Sequence, residues 1–289
     1  MKSSDSRYLD IRGLRYHVRS WGPADARPLV FLHGWMDASA SFQFVVDALN
    51  RDWRILAPDW RGEGLTAWVA SGTYNYPDYI ADLDGLLEAF HPGEPADIVG
   101  HSRGGNIASL YAGIRPGRVR RIVNIEGFGL RARGADEAPA HYAHWLEQLR
   151  ASPQARSYAG FAELAGQIRR HNPRLSTVQA DFLSRHWGAE RADGQVTLRA
   201  DPRLSRPTSL FFRLDEMLAC WRQVTAPVLW VEAAESTNRQ RHHISDEGYA
   251  ARRAALSAAR VELVPDAGHM VHLEQPEKLA RLIESFLDE

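Results

Sequence analysis

Ala96-Asp97-Ile98-Val99-Gly100-His101-Ser102-Arg103-Gly104-Gly105 is the stretch that decides the fold. A short apolar run with strand character ends in a glycine, and from Arg103 to Ile114 the spacing turns helical. A serine on so abrupt a strand-to-helix turn must take a strained backbone conformation. The positions two before it and two or three after it therefore need small residues, and they are Gly100, Gly104 and Gly105. Such a turn presents the Ser102 hydroxyl at the carboxyl edge of a sheet, where the helix start offers backbone N–H groups to developing negative charge. A phosphate loop is the competing reading. No Lys-Ser or Lys-Thr pair follows, and the spacing is not G-x-G-x-x-G, so nucleotide binding is disfavoured.

Upstream and downstream the chain alternates apolar strand runs with amphipathic helices. Residues 14–18, 28–32, 54–58, 96–100 and 121–125 are predicted strands, and 41–49, 77–90 and 103–114 are predicted helices. The run at 28–32 is apolar throughout, as a strand buried on both faces requires. Strand-helix alternation of this kind gives a parallel sheet with helices on both faces. After Gly129 the rhythm stops. Residues 130–219 read as helical or irregular and are rich in Arg, Ala, Trp and His. The alternation resumes with strands at 227–231 and 261–264 and helices at 246–258 and 276–287. The expected organisation is one α/β core, residues 1–129 and 220–289, interrupted by an inserted lid subdomain at 130–219.

Two further motifs belong to the same chemistry as Ser102. His33-Gly34-Trp35 directly follows the strand at 28–32, where a serine hydrolase places its second oxyanion donor. The backbone N–H groups of Trp35 and Arg103 are the candidate pair. Gly268-His269-Met270-Val271-His272-Leu273-Glu274 follows the last strand. A general base must reach the serine from that edge, and His269 is the candidate. His272 reads as a packing or capping residue. The pairs His269/His272, His141/His144 and His242/His243 resemble metal-ligand spacings without an obvious third ligand, so no metal and no cofactor is expected.

Together these motifs, with Asp59-Trp60-Arg61-Gly62-Glu63-Gly64, resemble the α/β-hydrolase fold superfamily over nearly the whole chain. The stretch His33-Gly34-Trp35-Met36-Asp37-Ala38-Ser39-Ala40-Ser41-Phe42 looks most like the branch of serine hydrolase-like proteins. The resemblance implies a mostly parallel eight-stranded sheet, with the insertion as a mainly helical lid over the site.

The acid of a Ser-His-acid triad is where the chain departs from that pattern. Relatives commonly carry Asp in the loop after the strand that follows the lid, where this chain has Ser236 or Thr237. Glu126, at the end of the strand 121–125, is the preferred substitute, as in certain haloalkane dehalogenases. Glu235 is the alternative. A carboxylate is needed at one of these places to fix the imidazole tautomer and stabilise the imidazolium.

Composition bounds the rest. The 289 residues are 44% hydrophobic and 25% charged, which excludes disorder as the main state. Thirty-five Lys and Arg balance 36 Asp and Glu, a net charge of −1, which gives no support for nucleic-acid or anionic-membrane binding. No apolar run spans a bilayer and the first residues carry no signal-like apolar segment. The lone Cys220 excludes an intrachain disulfide, and a cytoplasmic location is the default expectation. A small-molecule substrate is expected, with either a monomer or a dimer compatible. A serine nucleophile disfavours alkyl-enzyme chemistry. The expected activity is hydrolysis of small or medium apolar carboxylic esters through an acyl-enzyme. Carbon–carbon bond hydrolysis of diketone-like compounds by the same Ser and His is the first alternative, and a non-catalytic ligand receptor the second. His101, Trp145 and Trp187 are candidate pocket residues, although most lid aromatics serve packing. Arg169, Arg170, Arg174, Arg185 and Arg191 read as solvated helix faces that a substrate carboxylate could also use.

Overall fold

The computed structural model describes residues 1–70, 74–257 and 259–289. Eight strands form the central sheet: β1 (Asp5–Ile11), β2 (Leu14–Trp21), β3 (Pro28–Leu32), β4 (Arg54–Pro58), β5 (Ala96–His101), β6 (Val119–Ile125), and, after the insertion, β10 (Val228–Ala233) and β11 (Ala259–Val264). Their order is β1-β2-β4-β3-β5-β6-β10-β11. The β1–β2 and β2–β4 pairs are antiparallel, and the other pairs are parallel. The first strand is absent from the sequence expectation because six of its seven residues are at least partly exposed, so no apolar run marks it.

Alternation along the inner strands covers both faces. Val30, Ile98 and Ile122 point to one side, where they pack with Leu83, Leu86, Leu87 and Phe90 of α2 (Tyr76–Phe90). Phe31, Val99, Val123 and Val231 point to the other. There they meet Val45 and Val46 of α1 (Gln43–Ala48) and Leu279, Ala280, Ile283 and Phe286 of α11 (Pro276–Leu287). Two-sided burial is why β3 is apolar at every position. Each such buried side chain contributes ~1.5–3 kcal/mol. The predicted helix at 246–258 is α9 (Asp246–Ala255), and Ala258 lies outside the described residues.

The inserted segment contains α4 (Ala138–Arg150), α5 (Phe161–His171) and α6 (Thr177–Trp187). It also holds a three-stranded antiparallel sheet that the spacing did not predict. The strands are β7 (Ser157–Tyr158), β8 (Gly188–Glu190) and β9 (Val196–Leu198), too short to show a period of two. Leu164, Ile168, Ala180 and Leu183 form its own small core, which also takes in Leu273 from beside the site. α7 (Leu214–Trp221) crosses the expected boundary at residue 220. Its Met217, Leu218 and Trp221 pack with Leu110, Phe128 and Trp230 of the sheet layer, so it adheres to the core. Among the described residues no helix is long and apolar enough to cross a membrane.

Candidate active site

The parallel register brings four loops to one edge. Leu32 pairs with Gly100, His101 with Ile125, Ile125 with Val231, and Ala233 with Val264. The residues just beyond these strand ends are therefore neighbours, although they are separated by up to 234 positions in sequence. The strand order reverses around β3, which leads to β4 on one side and β5 on the other, and a crevice at the carboxyl ends follows from that reversal.

Ser102 caps α3 (Arg103–Ile114) with φ 52° and ψ −114°, in the strained region the motif demands. The glycines around it are dictated by space. A Cβ on Gly100 would sit 2.6 Å from the backbone of Gly104, and one on Gly105 would collide with the Asn124 amide oxygen. The Ser102 Oγ lies 3.0 Å from His269 Nε2. On the far side of that ring, Nδ1 is 3.2 Å from Glu126 Oε2.

Glu126 is buried, at 1% exposure, and holds φ at 56°, a sharp exit from β6. Its backbone N–H donates to Val231 C=O at 2.8 Å. Its carboxylate accepts from the Ala233 N–H at 2.8 Å through Oε1 and from the Ser236 hydroxyl through Oε2. Asn238 Nδ2 donates to the Glu126 carbonyl at 3.2 Å. Of the two carboxylates the sequence left open, the structure thus brings Glu126 to His269. Glu235 is exposed and pairs with Arg174 instead. Ser236, in the loop after β10 where an aspartate was expected, donates its hydroxyl to the Glu126 carboxylate. No motif marks that bond beyond the unusual residue itself.

Trp35 and Arg103 flank the serine, and neither backbone N–H has an acceptor among the described residues. Trp35 is 56% exposed. A device missed by sequence reasoning joins the two. Buried Glu63 accepts from the Met36 N–H at 2.5 Å and ion-pairs with the Arg103 guanidinium, which also donates to Gly34 C=O at 3.1 Å. One carboxylate therefore fixes the loop after β3 against the start of α3.

A cavity of about 470 Å³ opens above Ser102. Its wall includes Trp35, Tyr76, Phe128, Leu130 and Met270, with His101, Asn106 and Arg241 among the polar groups. His101 therefore lines the pocket as expected. Trp145 and Trp187 do not. Trp187 spends its indole N–H on Asp37 at 3.0 Å, behind the wall, and Trp145 lies in α4 away from the cavity. Of the five candidate arginines in the insertion, Arg174 reaches Glu235 and Glu274 of the core, and the other four keep to partners within the insertion. Arg169 bonds Leu175 C=O, Arg170 bonds Gln167, Arg191 pairs with Asp193, and Arg185 stacks on Phe161.

His101 Nε2 donates to the His269 carbonyl, 2.9 Å away. Burial, then the nearby rings of His272 and His269, hold its pKa well below the ordinary value, so it is neutral. His272 does not pair with His269. It packs between Phe42 and His101, with Nε2 3.6 Å from Asp37 Oδ2. Asp37, His101 and His272 bring one ligand-type atom each within 4.8 Å, a third member that the spacing did not reveal. Asp37 already accepts from Ala38 N–H, Ser41 and Trp187, which fits a buried polar knot supporting the loop after β3.

A model of the Alpha/beta hydrolase family matches residues 29–282. The chain belongs to this family. A serine hydrolase-like protein of Danio rerio is 28% identical over 277 residues, covering 92% of this chain and 83% of that protein. The 2-(acetamidomethylene)succinate hydrolase of Mesorhizobium japonicum is 28% identical over 291 residues, covering 98% and 95%. Among solved structures, the thioesterase domain from the curacin biosynthetic pathway superposes with a TM-score of 0.88 at 21% identity, covering 98% of this chain and 99% of that one. The serine hydrolase-like branch therefore lies nearby, and the family is one of hydrolases.

Proposed function

We propose that this α/β hydrolase is a serine hydrolase that cleaves carboxylic esters through a Ser102–His269–Glu126 triad. One observation carries the reading: Ser102 Oγ, His269 and Glu126 are in line at 3.0 and 3.2 Å on the floor of an open cavity. In the proposed cycle Ser102 attacks the ester carbonyl carbon while His269 Nε2 takes the hydroxyl proton. Glu126 keeps the proton of His269 on Nδ1 and stabilises the imidazolium. The free N–H groups of Trp35 and Arg103 receive the oxyanion, in a site where Glu63 has already fixed their spacing. His269 then protonates the leaving alkoxide. Water, deprotonated by the same ring, releases the acid from the acyl-enzyme.

A non-catalytic receptor would not need an acid beside His269, and the placement of Glu126 there favours the enzyme. The mostly apolar wall supports acyl or aryl groups of small or medium size. The named substrate of the Mesorhizobium relative is a succinate derivative, which favours esters that also carry a free acid. The test is labelling with a fluorophosphonate. Wild type should be labelled and Ser102→Ala should not. Labelling that survives the substitution, or none in wild type, defeats the proposal.

A further inference from the structure

Charge in the cavity is unevenly committed. Its two carboxylates are occupied: Asp37 by Ala38, Ser41 and Trp187, and Glu126 by His269, Ser236 and Ala233. The Arg103 guanidinium is spent on Glu63 and the Gly34 carbonyl. Arg241 differs. It lines the same cavity, is exposed, and its guanidinium has neither a hydrogen bond nor a carboxylate partner among the described residues.

Its position is not that of a loose surface side chain. Arg241 ends the short helix α8 (Asn238–Arg241), whose first residue is tied to the triad acid. Asn238 Nδ2 donates to the Glu126 carbonyl, and the Asn238 N–H donates to Ser236, which in turn holds the Glu126 carboxylate. One turn therefore separates Arg241 from a residue anchored at the reacting centre. The neighbouring His242 is pushed toward its neutral form, by desolvation first, then by His269 and Arg241, so both the cation and the catalytic ring act on one rim position. Around them the wall is largely apolar, with Phe128, Leu130 and Met270. A planar guanidinium with free donors beside an apolar wall matches a single carboxylate on the ligand.

We infer that Arg241 receives a free carboxylate carried by the substrate, so that the preferred substrates are half-esters of dicarboxylic acids and similar acid-bearing esters. This inference rests on the ester-hydrolase reading of the same site. A specificity-determining residue of this kind should move selectivity. The measurement is the ratio of kcat/KM for 4-nitrophenyl hemiglutarate to that for 4-nitrophenyl valerate, in wild type, Arg241→Gln, Arg241→Lys and Arg239→Gln. Arg239 is the control because its guanidinium already pairs with Asp246 and stacks on Tyr249. Wild type should favour the acid ester, Arg241→Gln should lower the ratio at least ~10-fold, and Arg241→Lys should restore part of it. Arg239→Gln should leave the ratio unchanged. An unchanged ratio in Arg241→Gln, or an equal loss in Arg239→Gln, overturns the inference. Binding of glutaric acid monoanilide, followed calorimetrically, separates it from the catalytic reading. Arg241-dependent binding without esterase activity sustains the carboxylate site and sinks the esterase. Esterase activity with binding indifferent to Arg241 does the opposite.

Discussion

Replacing Glu126 by Gln removes one charge and changes one donor pattern at nearly constant volume. In the structure the carboxylate accepts three hydrogen bonds, from Ala233 N–H, the Ser236 hydroxyl and His269 Nδ1. A glutamine has one acceptor oxygen, and two of those donors compete for it. If the amide N–H₂ faces His269, Nδ1 must become the acceptor and the ring proton moves to Nε2, pointing at Ser102, where it cannot take a proton. The imidazolium also loses its counter-charge. Two unit charges about 4 Å apart interact by ~4 kcal/mol at an effective dielectric of ~20. Both effects raise the barrier, and a loss of ~3–5 kcal/mol corresponds to a fall of ~10²–10⁴ in kcat. The assay is ester turnover of purified Glu126→Gln and Glu235→Gln beside wild type, with thermal unfolding to show that each variant is folded. Glu235→Gln should stay within about threefold, because it disrupts only an exposed pair with Arg174. A folded Glu126→Gln within threefold of wild type, or a larger defect in Glu235→Gln, would refute the reasoning.

The hydroxyl of Ser236 acts on catalysis only through the acid, so Ser236→Ala should lower kcat by ~10–150-fold, the worth of one hydrogen bond to a charged group at ~1.5–3 kcal/mol, with little change in KM. Normal turnover would show that Glu126 needs no such support. Gly100→Ala should yield little folded protein, since its Cβ would sit 2.6 Å from the Gly104 backbone, and soluble, active Gly100→Ala would contradict the packing. Stability should also fall on acidification. His101, held well below its ordinary value, and His186, lowered to about 4 by burial and by Arg19, bind protons in the unfolded chain before the folded one. Their contribution is present above the unfolded value near 6.5 and is lost as pH drops below it, with a slope of up to ~1.4 kcal/mol per pH unit for a buried group. Denaturant midpoints measured between pH 7 and pH 5 should decline, and His101→Gln should flatten the decline. An equally steep decline in that variant would remove His101 from the account.

Much of this was legible in the sequence because the chemistry sits where local rules are strict. Ser102 is announced by three glycines that only a strained strand-to-helix turn requires, and His269 by its place after the last parallel strand. The strand at 28–32 is apolar at every position because both faces are buried, and that pattern survives in the bare text. Other features were hidden for physical reasons. Strand β1 is half solvated and shows no run. The three-stranded sheet in the insertion is built from two or three residues per strand. Glu126 and Glu235 could not be separated with certainty by reading, since reach and direction depend on the pairing of β6 with β10. The Glu63–Arg103 pair joins the loop after β4 to the start of α3, 40 residues further on, and the Arg241 rim depends on which charges find partners elsewhere. Trp145 and Trp187 illustrate the opposite hazard: an aromatic in an insertion suggests a pocket wall, yet Trp187 is used to hold Asp37.

In the proposed cycle Ser102 carries the acyl group during turnover. Rapid mixing of enzyme with 4-nitrophenyl acetate, an acid quench and peptide mass mapping measure it directly. A burst of nitrophenol near one equivalent is expected, with an added acetyl mass confined to the peptide holding Ser102 and lost in Ser102→Ala. Steady hydrolysis with no acyl adduct, or an adduct on another residue at the same stoichiometry, would contradict it.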